Sequence, residues 1–256
     1  MHIDTNFYFN IYNFLSHLAV VASRIFPIFS IIPFLSNNIL SSTIKFPLSL
    51  FIAMGVWPYD AYDLPQFEST NYLVILLKEI IIGLMIAVFI SLPFCVLQIA
   101  GNIIDNQRGA TLSSSIDPIN GVDTSELANF FNLFAVTLFL ANGGVITILE
   151  IYNYSYRLWL PFSMELPSVS NILTFISYAI SKAIMLASPL IIIFLATEIM
   201  LGLLGRYAHQ LNPFSIALTV KSLICFTILM IYFSSSFSET VLVMQQISFK
   251  LIENSI

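Results

Sequence analysis

Apolar residues run in long blocks along this chain, and each block can be measured against the roughly 20 residues a helix needs to cross a bilayer. Phe14 to Leu35 predicts a span, interrupted by Arg24, Pro27 and Pro33. Ile44 to Trp57 holds only fourteen residues and predicts a half-helix or a buried segment. Tyr72 to Ala100 has twenty-nine, with Lys78 and Glu79 near one end and Pro93 near the other. Leu127 to Ile151 is long enough to span and carries Asn129, Asn132 and the run Asn142-Gly143-Gly144. Asn171 to Leu204 has thirty-four residues, with Lys182, Pro189 and Glu198 inside it. Phe214 to Phe233 predicts a clean span around Lys221. In the tail, Glu239 to Glu253, helical spacing of Val241, Met244, Ile247, Leu251 and Ile252 predicts an amphipathic helix. Two blocks exceed the bilayer's thickness and each contains a proline, in "SLPF" (91–94) and "ASPL" (187–190). A proline inside a helix removes a hydrogen bond, so a bend or a hairpin is expected at each.

Against this apolar background, residues 101–126, "GNIIDNQRGATLSSSIDPINGVDTSE", form a long polar stretch rich in Gly, Ser and Thr. Connections of this length are uncommon and usually either functional or disordered. Asp117-Pro118 is a turn signal and Gly121 permits a left-handed backbone. Asp123 with Glu126 resembles a capping box for a helix from about 124 onwards. Leu112, Ile116 and Ile119 recur among the hydroxyl side chains, which favours a segment that packs against something over one that drifts in water. Irregular backbone at membrane depth is tolerated where it is buried in protein or lines a cavity, so a constriction or plug is one reading and an exposed loop the other.

Composition settles the class. The chain is 58% hydrophobic and 9% charged, where a soluble domain carries roughly 25% charged residues. That marks an all-α, multi-span membrane protein. A net charge of −5 provides no basic patch for nucleic acid. Cys95 and Cys225 lie in apolar runs and read as small buried hydrophobes, too few for a disulfide framework or a zinc site. No basic region precedes the first apolar run, which argues against a removable signal peptide. Lys45, Arg108, Arg157 and Arg206, read as loop cations, do not favour alternate loops and give no orientation. Asp60, Asp63 and Glu68 make the loop at 59–71 acidic, which favours the outer side.

Enzyme signatures (HExxH, GxxxxGK[ST], GxSxG, CxxC) are absent, and His2, His17 and His209 do not cluster in sequence. No catalytic residue, metal site or cofactor is expected. Arg24, Lys78, Glu79, Lys182, Glu198 and Lys221 nonetheless lie inside apolar runs. A charge at membrane depth costs several kcal/mol unless it faces protein or water. Two readings stand: pairing between helices or snorkelling at run ends, against a polar pathway or helices that are not truly embedded in lipid.

Several stretches together resemble one family, the T component of the bacterial type III secretion export apparatus (the FliR/SpaR/YscT group). They are "RIFPIFSIIPFL" (24–35), "KEIIIGLMIAVF" (78–89), "QIAGNIIDNQRGATLSSSIDP" (98–118), "FLANGGVITIL" (139–149) and "EIMLGLLGRYAHQLNPFSIALTVKSL" (198–223). They follow the family's order, and "LTVKS" (218–222) resembles the virulence, or injectisome, branch.

The resemblance implies long kinked helices and helical hairpins, with an R-like part (1–170, including the loop at 101–126) fused to an S-like hairpin with an amphipathic tail (171–256). It implies a place in a right-handed helical export-gate assembly in the bacterial inner membrane, at the base of the secretion apparatus. Its partners there would be several copies of the R and S components and the autocleaving switch component, with unfolded secreted proteins as substrate. The family's plug loop matches Arg108 to Val122, so the gate residues implied are Gln107, Arg108, Gly109, Ala110, Thr111, Leu112, Ser113, Ser114, Ser115, Ile116, Asp117 and Pro118. Gly101, Asn142, Gly143, Gly202 and Arg206 match family positions read as packing or assembly, a role extended to Arg24, Lys78, Glu79, Glu198 and Lys221. Arg108 departs from the apolar residue of flagellar relatives, and Gly205 from a polar one. The alternative is a secondary transporter of small solutes with Lys78, Glu79, Lys182 and Glu198 as its ion pathway.

Overall fold

A computed structural model of the chain describes residues 5–35, 41–56, 70–109, 125–161, 167–168, 170–207 and 213–253. Among these, every regular element is helical: α1 (Thr5–Ile31), a 3₁₀ turn (Pro33–Leu35), α2 (Ser42–Gly55), α3 (Thr70–Ile90), α4 (Leu92–Arg108), α5 (Glu126–Ala141), α6 (Gly144–Leu158), α7 (Ser170–Tyr207) and α8 (Pro213–Glu253). Among the described residues, three stretches are long and apolar enough to cross a membrane, Phe14–Ile31, Asn71–Ile90 and Ser170–Tyr207. Two further spans result if α5 is counted with α6 and the two halves of α8 are counted together.

The helix breaks follow backbone chemistry. Ser91 separates α3 from α4, and Pro93 is the second residue of α4. Proline is tolerated there because the first turn of a helix has no acceptors for its amides. The block 127–151 divides at Asn142-Gly143, where Gly143 adopts a left-handed φ of 75° and the Asn142 side chain donates to the Leu138 carbonyl (2.7 Å). Of the bend or hairpin expected at Pro189, the hairpin is excluded, for α7 continues as helix through it. Pro189 has no N–H to give the Met185 carbonyl, and the Ser188 hydroxyl donates to that oxygen instead, at 2.8 Å. The predicted span at 214–233 and the tail at 239–253 both belong to α8, whose two halves, Ile216–Tyr232 and Phe237–Glu253, are bent by 66° at the residues between them. Within the tail Val241, Met244 and Ile252 are buried, while Ile247 and Leu251 are half-buried.

The four cations assigned to loops are in helices. Arg108, Arg157 and Arg206 occupy the last turns of α4, α6 and α7, where a positive charge complements the helix dipole. Lys45 is in the first turn of α2, which begins two residues before the apolar block, and it is buried. The acidic loop residues Asp60, Asp63 and Glu68 fall outside the described residues, as do Gly121 and Asp123.

The chain divides into two compact units. In the first (1–91, 143–173 and 247–256), α1 packs along α3 and against α2. Ile25, Ile28, Ile82, Ile86 and Phe89 are fully buried there. Gly83 lets the two backbones meet, since a Cβ at that position would overlap the Arg24 carbonyl oxygen and lie 2.9 Å from its carbon. Tyr72 closes the other end by donating its hydroxyl to the Ser16 carbonyl (2.9 Å). In the second unit (92–142 and 174–246), α4 packs along α5. A Cβ on Gly101 would lie 2.5 Å from the Ala128 Cα and 2.7 Å from its nitrogen. Phe94 meets Phe139 edge-on with centroids 5.3 Å apart. Along α7 the buried residues Phe175, Ala179, Ala183, Leu186, Ala187, Leu190, Phe194 and Thr197 form a single stripe.

Gly83→Ala and Gly101→Ala should therefore each destabilise by at least the roughly 1–3 kcal/mol of ordinary overpacking, because the obstacle is backbone. Gly55→Ala, where a Cβ would meet nothing within 4 Å, should be neutral. Accumulation and apparent unfolding temperature of the detergent-purified chain would check this, and equal behaviour of all three variants would contradict it.

Candidate functional site

In the first unit, two charges inside the apolar helices are tied to one another. Arg24 on α1 meets Glu79 on α3 with two parallel bonds, Nε to Oε2 at 2.5 Å and Nη2 to Oε1 at 2.9 Å. Its remaining donors reach α6 and the residue after it, Nη1 to the Ser155 hydroxyl (3.0 Å) and Nη2 to the Trp159 carbonyl (2.9 Å). The guanidinium also stacks 3.9 Å from the centroid of the Tyr156 ring. Both charged side chains are 0% exposed. Removing two ions from water is expensive, and only a fork-to-carboxylate geometry with the other donors satisfied offsets that cost. Beside the pair, Lys78 donates to the carbonyls of Leu160 (2.5 Å) and Pro161 (3.1 Å). Adjacent residues of α3 thus hold the α6 end of the unit.

The second unit contains a further polar node at the ends of the polar stretch. Residues 101–108, expected to belong to that stretch, are the last turns of α4, and the intervening segment starts after Arg108. The helix continues because Leu97, Ala100, Gly101, Ile104 and Asp105 form one buried face. At the far end, the helix expected from 124 with Asp123 as its cap begins at Glu126, with Ser125 as the cap accepting from the Ala128 amide (3.1 Å). One carboxylate joins the two ends. Asp105 Oδ1 accepts from Arg108 Nε (2.6 Å), while Oδ2 accepts from the Ser125 hydroxyl (2.6 Å) and the Leu127 amide (2.9 Å). Asp105 is fully buried. Its charge faces the first turn of α5, whose free amides and dipole favour an anion.

The same node reaches α7 and α8. Lys221 on α8 donates to the Gln107 carbonyl at the end of α4 (3.1 Å) and forms an ion pair with Glu198 of α7. The Arg108 guanidinium lies 5.4 Å from the Phe226 centroid. An apolar groove of about 430 Å³ opens beside it between Arg108, Glu126, Phe130, Phe226 and Met230.

Of the gate residues expected from sequence, Gln107, Arg108 and Gly109 are at the end of α4, Gly109 with a left-handed φ of 82°. Ala110, Thr111, Leu112, Ser113, Ser114, Ser115, Ile116, Asp117 and Pro118 lie outside the described residues. Among the packing candidates, Arg24, Lys78 and Glu79 are together in the first unit, and Gly101, Glu198 and Lys221 are in the second. Asn142 and Gly143 form the α5 to α6 break. Gly202 and Arg206 are on exposed parts of α7, and a Cβ on Gly202 would meet nothing within 4 Å. Lys182 stands apart from these groups, 5.8 Å from the Tyr178 ring. Asp105 was not among the sequence candidates. Its signal was the i, i+3 spacing to Arg108 and its place on the face of Leu97, Gly101 and Ile104, hidden because 101–126 scans as one polar loop.

The family model for bacterial export proteins, family 1, matches residues 15–247. The chain is 44% identical over 235 residues to the surface presentation of antigens protein SpaR of Salmonella typhimurium, covering 92% of this chain and 89% of that one. It is 33% identical over 217 residues to the Yop proteins translocation protein T of Yersinia pestis (82% of each chain). The flagellar biosynthetic protein FliR of Escherichia coli K12 is 30% identical over 198 residues (75% of each). Identity is thus higher to the virulence-type proteins than to the flagellar one.

Breaking the Arg24–Glu79 pair from one side leaves an uncompensated buried charge, at a cost of about 3–5 kcal/mol. Arg24→Met and Glu79→Leu alone should each sharply lower the yield of folded chain, while the double variant should recover much of it. A double variant as poor as the sum of the two would contradict the pairing.

Proposed function

Because this chain belongs to the bacterial export proteins, family 1, and is a virulence-branch subunit of the type III secretion export apparatus, we propose that it helps to form and to close the channel through which unfolded proteins leave the cell. The chain is an integral membrane protein, and the membrane proposed is the bacterial inner membrane. Its proposed partners are multiple copies of the R and S components and the autocleaving switch component. In that assembly, residues 1–170 act as the R-like part and 171–256 as the S-like part.

One observation carries the closing role. Because α4 and α5 pack along one another, the polar segment after Arg108 leaves and returns to the helices at one place, tied at both ends. A segment so held has a fixed base from which to occupy a pore, and its small, mostly uncharged residues suit a constriction that must later yield. Opening would then require displacement of the segment, not unfolding of its supports. No catalytic step is assigned to the chain; the work of export falls to its partners.

The transporter alternative finds no support. Three of its four proposed pathway charges are engaged within the protein: Glu79 in a bidentate pair, Lys78 on two carbonyls and Glu198 with Lys221. An ion pathway needs charges that exchange partners readily.

Deletion of residues 109–119 in assembled, substrate-free complexes should raise the permeability of the membrane to small ions and solutes. Complexes that retain their partners and stay as tight as wild type would remove the closing role.

A further inference from the structure

We infer that Asp105 is the positioning residue of the gate segment, the group that fixes where it leaves α4 and where it enters α5. The inference deepens the closing role proposed above and rests on it for its physiological meaning, though the anchoring itself is read from the geometry. Three donors from three residues converge on one fully buried carboxylate: Arg108 Nε on one oxygen, the Ser125 hydroxyl and the Leu127 amide on the other. Arg108 is the last residue of α4, Ser125 is the cap of α5, and Leu127 is in its first turn. Asp105 therefore acts as a helix cap supplied from a different helix, satisfying an amide that the Ser125 cap leaves open, since Ser125 serves Ala128.

An ion at this site is better suited than a neutral group. All three partners are donors, and the carboxylate is the one side chain of this size that only accepts. Asparagine would aim an NH₂ donor at Arg108 or at the Ser125 and Leu127 donors, so at least one arm would be lost. The buried charge is balanced by the Arg108 guanidinium and by the N-terminal dipole of α5. Packing between α4 and α5 stands on other residues, Gly101 against Ala128 and Phe94 against Phe139. Losing the carboxylate is thus expected to release the segment's ends while the helix pair remains.

The experiment is hydrogen–deuterium exchange on the whole assembled complex carrying Asp105→Asn, compared with wild type, alongside ion leak from the same complexes in vesicles. Amides in a peptide covering 125–131 should exchange at least tenfold faster, those of 132–140 and of α3 should be unchanged, and partner subunits should be retained. Unchanged exchange at 125–131 overturns the inference. So does a uniform rise across the chain, which would make Asp105 a residue of the fold in general. If the Asp105→Asn chain does not accumulate, Arg108→Gln frees the carboxylate oxygen that holds the α4 end and leaves the bonds to Ser125 and Leu127 in place; faster exchange in a peptide covering 105–109 supports the inference and none overturns it. The deletion of 109–119 separates the two proposals. Fast local exchange in Asp105→Asn with no leak from the deletion keeps the anchor and rejects the gate. Leak from the deletion with unchanged exchange keeps the gate and rejects the anchor.

Discussion

A charge inside an apolar helix has to find its counter-charge, and in this chain that requirement organises the first unit. Arg24 and Glu79 belong to different helices and neither is exposed, so α1 and α3 cannot shift against each other without opening the pair. The remaining guanidinium donors extend the constraint to Ser155 and Trp159 at the end of α6. Gly83 is the steric condition for this arrangement, because it admits the Arg24 backbone to the surface of α3. Such a pair adds little net stability compared with a well-packed apolar pair, but it is intolerant of misalignment. In a chain with so many apolar side chains, where hydrophobic packing alone permits many registers, the fork-to-carboxylate geometry selects one.

The second unit applies the same rule at a helix end. Asp105 is fully buried, and its bonds all go to groups at the end of α4 and the start of α5. Lys221 repeats the logic with opposite sign by capping the Gln107 carbonyl at the negative end of α4 while holding Glu198. An acid facing the start of α5 and a base at the end of α4 neutralise the dipoles that the two helix ends expose.

Much of the architecture was legible in the order of apolar blocks, since block length and Pro93 mark the break at Ser91, whereas the break at Asn142-Gly143 falls inside a block read as a single span. A hairpin at Pro189 is excluded by local chemistry that block lengths do not carry, since the helix continues there and the Ser188 hydroxyl supplies the donor that the Met185 carbonyl would lack. The limits of the polar stretch were misplaced for a related reason. Asp105, Asn106, Gln107 and Arg108 look like loop chemistry one by one, while only the burial of Gly101, Ile104 and Asp105 on one face reveals the helix. The family motifs drew attention to Arg108 and Gly109 beside it. They gave no hint that the carboxylate three residues earlier joins the two ends, because pairing across twenty residues of chain leaves no periodic trace.

The unbroken course of α7 has a geometric consequence. Thirty-eight residues at 1.5 Å of rise make a rod of about 57 Å, nearly twice the roughly 30 Å depth of a hydrocarbon core. Laying all of it within that depth would need a tilt of about 58°, beyond the range of 0–40° that membrane helices adopt. Yet large apolar side chains are exposed from Leu173 at one end, through Met185 and Ile192, to Leu204 and Tyr207 at the other. Lipid of that depth cannot cover such a rod from end to end at an ordinary tilt. Some length of its greasy flank must therefore be sheathed by other polypeptide, which makes the helix a ruler of how far the protein environment extends past the bilayer.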